Sequence, residues 1–159
     1  MEAHPIKRTT LTTLMTTLLA LAAFASNSHR ASADTGDYID GMKPFAPVIE
    51  RWAVDARDLT AAALAKPELA CSDEMAEMAL RGFSIADDLD GMVSGAPKLL
   101  VPRHLQVARE LRVMASATEL ACLDAPGAAS QTGDAYASFA GPMKQIRAYV
   151  NRAGRMIGR

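Results

Sequence analysis

Residues Ser72–Met92, SDEMAEMALRGFSIADDLDGM, decide the fold class of this chain. Met75, Met78, Gly82, Ile85, Leu89 and Met92 recur at steps of three and four, flanked by Ala79, Phe83 and Ala86. That rhythm lays one apolar stripe along a helix and leaves the acids for the opposite face. Ser72 or Asp73 can cap the first turn, and Ser94-Gly95-Ala96-Pro97 breaks the pattern. Gly82 costs about 1 kcal/mol of helix propensity relative to Ala, so its presence predicts close approach by a neighbouring helix.

Outward from this segment the same periodicity appears three more times, and no stretch alternates as a strand would. Upstream, Tyr38, Met42, Phe45, Ile49, Trp52, Ala56, Leu59 and Ala63 form a stripe interrupted early by Pro44 and Pro47. The prolines predict an N-terminal turn, a kink, and a firm helix from about Pro47 to Ala65, ended by Lys66-Pro67. Downstream, Leu100, His104, Val107, Leu111, Met114, Thr118 and Ala121 form the third stripe, with Pro102 suited to a first turn. Pro126 and Gly127 make Asp124–Gly133 read as a loop. Tyr136, Phe139, Met143, Ile146, Val150, Ala153 and Ile157 form the fourth stripe, and Gly141-Pro142 predicts that this helix kinks or begins at Pro142. Four amphipathic helices with mostly short links predict an all-α, antiparallel (up-and-down) four-helix bundle. A bundle completed by a homodimer would use the same stripes.

Ahead of the bundle, residues 1–33 are built like a signal peptide. Lys7 and Arg8 precede an uncharged run from Thr9 to Ala25, and Ala31-Ser32-Ala33 fits the A-x-A pattern of signal peptidase. Cleavage there would start the product at Asp34 and leave a single helical domain, 34–159, secreted or in the periplasm. A retained leader is the alternative, and would supply the only membrane contact.

Location bears on the cysteines. Cys71 precedes the second helix and Cys122 ends the third, so antiparallel pairing puts both sulfurs at one end of the bundle. In an oxidising compartment that predicts a disulfide. There is no C-x-x-C, and no partner sits beside either cysteine at zinc-ligand spacing.

Residues 34–159 carry a formal charge of −3, which gives no electrostatic reason to expect nucleic acid. The charge is uneven: from Lys144 onward there are five basic residues and no acid, leaving −8 for residues 34–143. Lys144, Arg147, Arg152 and Arg155 make a basic face on the last helix. It could meet an acidic partner or a membrane surface, but Arg near a helix C-terminus is also favoured by the dipole.

His104 is the only histidine after the leader, and Met42, Met92 and Met156 are brought to its end of the bundle. His with Met can ligate a b-type haem, and several Met around a His suit Cu(I). The plainer reading is a core His bonded to a neighbour among filler Met side chains. Asp87-Asp88-Leu89-Asp90-Gly91 lacks calcium-loop spacing and reads as a solvated acidic face. Glu110 and Glu119 stand alone, with no second acid at glycosidase spacing. The expected function is therefore a non-catalytic interaction module of the cell envelope or extracellular space, without a cofactor, for a protein or small-ligand partner. The alternative is a haem b- or copper-binding bundle using His104.

Overall fold

A computed structural model describes residues 35–157. The leader, the cleavage position before Asp34 and the side chain of Ile157 lie outside the described residues. Five helices follow in order: α1 Thr35–Ala63, the one-turn α2 Pro67–Ala70, α3 Asp73–Met92, α4 Val101–Leu120 and α5 Ala125–Ile157, with a 3-10 turn at Val93–Gly95 between α3 and α4. No strand occurs among the described residues, and none of their helices is long and apolar enough to cross a membrane.

The four long helices form a ring in which α1 packs on α3 and α5, and α4 packs on α3 and α5. Every neighbouring pair is antiparallel. Across α1 and α3, Gly41 faces Met92 while Trp52 faces Met78. Across α3 and α4, Asp90 meets Arg112 and Cys71 meets Cys122. Across α4 and α5, Arg103 meets Gln145 and Gln106 meets Ser138. Glu50 with Arg147 and Arg57 with Tyr136 close the ring between α1 and α5. The architecture is the up-and-down bundle that the four stripes predict.

The stripes account for the core. All seven residues of the third stripe are buried, from Leu100 to Ala121. Ile49 and Trp52 from α1, Ile85 and Leu89 from α3, and Phe139, Met143 and Ile146 from α5 meet them in one cluster. A smaller cluster at the disulfide end contains Ala63, Ala70, Met75, Ala121 and Ala128, so small side chains do most of the filling there.

Two expectations are corrected. Helix α1 begins at Thr35, not near Pro47, and carries Pro44 and Pro47 inside it. Both prolines are exposed, one turn apart. The carbonyls they deprive of a donor belong to Asp40 and Lys43, both exposed residues within reach of water, while Met42, Ala46 and Ile49 hold the opposite face in the core. Residues 125–133 are likewise helical, and α5 starts at Ala125 rather than at Pro142. Asp124 caps it: its carbonyl accepts from Ala128 N–H, and its Oδ1 accepts from Gly127 N–H at 3.0 Å. Pro126 then occupies a first-turn position that requires no N–H.

Helix α3 starts as its sequence predicts, with the Ser72 side chain accepting from Met75 N–H. Gly82 has the close neighbour it implies. A Cβ there would lie 2.1 Å from Trp52 Cζ2 and 2.9 Å from Ala115 Cβ. The indole lies over this notch and donates from Nε1 to the Met78 carbonyl at 3.0 Å. Gly82→Ala is therefore expected to destabilise the protein by about 2 kcal/mol despite a gain in helix propensity, since the ring must move and strain the packing. Chemical denaturation of the variant checks this; a variant as stable as the parent would mean that the indole yields freely.

Candidate functional site

At the end opposite the disulfide, Tyr38 on α1 and His104 on α4 meet across the diagonal of the bundle. Tyr38 O–H and His104 Nε2 are 2.5 Å apart and both residues are buried. The rings are tilted by 59° with centroids 5.3 Å apart. His104 Nδ1 is buried without a hydrogen-bond partner among the described residues. Burial lowers the imidazole pKa to about 4, against the weaker pull of the Asp90 carboxylate, so His104 is neutral at physiological pH. Burial also raises the Tyr38 phenol above its usual value, helped by Tyr149. In the neutral pair the phenol O–H donates to Nε2, which leaves the proton on Nδ1.

Met42 is fully buried near this end and Met92 is half-buried, its Cε within 2.8 Å of where a Cβ on Gly41 would stand. Met156, the third thioether assigned to this end, is 73 % exposed. A haem or Cu(I) ligated through Nε2 would have to displace Tyr38, and one ligated through Nδ1 would have to enter a space closed to solvent. Among the described residues no three His, Cys, Asp or Glu side chains group as a metal site.

Cys71 and Cys122 form the disulfide their positions predict, with Cα atoms 4.6 Å apart. The basic face divides. Arg147 is engaged inside the chain, Nη1 meeting Glu50 Oε2 at 2.5 Å, and Arg152 Nε donates to the Ala148 carbonyl at 3.2 Å. Lys144, Arg152 and Arg155 are exposed, and no described carboxylate forms an ion pair with them. On the acidic face of α3, Arg112 bridges Asp87 and Asp90 at 2.7 and 2.6 Å.

A concave surface lies between α4 and α5, a groove of about 560 Å³ running toward the disulfide end. Val113, Ala117 and Leu120 from α4 and Ala128 and Ala135 from α5 supply apolar walls, while Glu110, Asp124 and Asp134 supply the charge. No Lys or Arg lines it. Glu110 is 7 % exposed and takes Arg109 on Oε1; Asp124 is occupied by the helix cap. Asp134 is exposed and has no ion-pair partner among the described residues.

The sequence pattern leaves Glu110 isolated and gives Asp134 no distinguishing neighbour. A loop over 124–133 would separate Asp134 from the face of α5 to which it belongs. The available signal was Asp124 ahead of Ala125-Pro126, an N-cap followed by a first-turn proline. No family model, curated protein or solved structure matches this chain.

Proposed function

We propose that this chain is an exported, non-catalytic interaction module that receives a cationic segment of a protein partner in the groove between α4 and α5. The groove carries the reading. Its lining joins small apolar side chains to three carboxylates with no basic residue among them. Such a surface favours a segment that presents short apolar groups flanked by Lys or Arg. The Cys71–Cys122 disulfide supports an oxidising compartment, and with it the export that residues 1–33 predict.

Two amphipathic peptides with the same apolar residues, one Lys-rich and one Glu-rich, separate this reading from non-specific adhesion. On titration of the Lys-rich peptide, amide chemical shifts should move at Val113, Ala117, Ala128 and Asp134. Asp134→Lys should weaken binding roughly tenfold by replacing an attractive contact with a repulsive one. Equal binding of the Glu-rich peptide, or shifts confined to other faces, would remove the groove as the site.

A further inference from the structure

We infer that the outer face of α5 is the contact surface of a symmetric homodimer, in which Asp134 of each copy meets Arg152 of the other. The inference rests on the proposed binding role of the α4–α5 surface and names a second copy of the chain as the partner.

Asp134 and Arg152 are 18 positions apart. At about 3.6 residues per turn that is about five full turns, so the two side chains leave α5 on the same line, roughly 27 Å apart. Both are exposed, and neither has an ion-pair partner among the described residues. The line between them runs through Ser138, Gly141, Gln145 and Ala148, all exposed. These side chains are short apart from Gln145, which Arg103 holds from α4. A Cβ built on Gly141 would meet nothing within 4 Å.

A two-fold axis perpendicular to α5, midway between Asp134 and Arg152, lays one α5 antiparallel on its copy. It brings each acid opposite the other copy's base. One geometric operation therefore satisfies both charges twice, which is the self-complementarity an isologous interface requires. The wider charge distribution agrees. The acidic groove flanks the N-terminal half of α5, while residues from Lys144 onward carry only positive charge. Antiparallel pairing sets each Arg152 against the acidic margin to which the other copy's Asp134 belongs, while Arg147 stays with Glu50. With 33 residues α5 is about 50 Å long. A stable dimer uses roughly 800 Å² per partner, which would draw in the groove wall of α4 beside this face. The contact would also cover Met156, which lies close to the Arg152 line and is 73 % exposed.

Sedimentation equilibrium on the purified protein, at about 0.02 M and about 0.5 M salt, tests the contact. The expected result is a dimer at low salt that dissociates at high salt. Asp134→Lys and Arg152→Glu should each weaken the dimer on the order of 100-fold, because symmetry turns two attractive pairs into two repulsive ones. Combining them should restore association to within roughly tenfold of the parent, a rescue that general surface damage would not give. Far-UV circular dichroism confirms that each variant keeps its helices, both positions being at the surface. A monomer under all conditions would overturn the inference, as would a dimer insensitive to both reversals. Because the peptide titration reads the groove in a monomer as well, loss of the dimer leaves the cationic-segment reading separately decidable.

Discussion

Reduction of the Cys71–Cys122 bond is expected to lower the unfolding free energy by about 4 kcal/mol. The two residues are 51 positions apart, and releasing a loop of that length restores this much chain entropy to the unfolded state. Against a typical domain stability of about 5–15 kcal/mol, the loss is large. Its local consequence follows from what surrounds the bond. Ala63, Ala70, Ala121 and Ala128 offer little apolar area, and Met75 is the one large side chain fully buried among them. Hydrogen exchange on the reduced protein should therefore rise first in α2, the first turn of α3 and the last turn of α4, while the Trp52–Gly82 region stays protected. Urea denaturation with and without reductant gives the global number, and Cys71→Ser with Cys122→Ser gives it free of reductant. A change below about 1 kcal/mol would mean that packing alone holds this end.

Acidification is expected to remove about 3 kcal/mol of stability through His104. Its pKa is about 4 in the folded protein, against an ordinary 6.5. As pH falls below 6.5 the unfolded chain takes up a proton at His104 while the native state refuses it. Stability is therefore complete above about pH 6.5, declines as pH falls, and levels off near pH 4, where the native state also protonates. His104→Gln keeps a hydrogen-bonding partner for Tyr38 but cannot titrate. The variant should lose this pH dependence while remaining folded at neutral pH. If wild type and His104→Gln show parallel stability curves between pH 6.5 and 4, the buried neutral imidazole is not the group responsible. The same experiment bears on haem or copper, since either ligand would have to compete with Tyr38 or with a closed core for the ring nitrogens.

Much of the fold was legible because its decisive features are periodic or local. Ser72 as a cap depends on four consecutive residues, and Gly82 as a point of close approach depends on a glycine standing where every neighbouring turn carries a side chain. Every residue of the third stripe is buried, and α4 buries Ala108, Glu110, Ala115 and Ala117 beside them. What misled was proline read without its surroundings. Pro44 and Pro47 break a helix only where the freed carbonyls go unsatisfied, and here those carbonyls belong to the exposed residues Asp40 and Lys43. Pro126 stands in a first turn because Asp124 caps the helix before it. A rule about residue type gave way in each case to the environment of the backbone.

The sequence by itself determined the helical class, the antiparallel order, the shared end of the two cysteines and the placement of His104 on a core-facing line. These follow from spacing along one chain and from the topology that short links impose. Tertiary structure alone decided the partner of His104, because Tyr38 lies 66 positions away on the helix diagonally opposite. It also decided that Arg147 is occupied by Glu50 while Arg152 is not ion-paired within the described chain, a difference that turns on which neighbour each helix face meets. The groove between α4 and α5 belongs to the same category. Glu110 and Asp134 are on separate helices, and only the rotation of each about its axis makes them line one surface. Periodicity states which side of a helix is apolar, whereas the packing of two helices states what their polar margins create together.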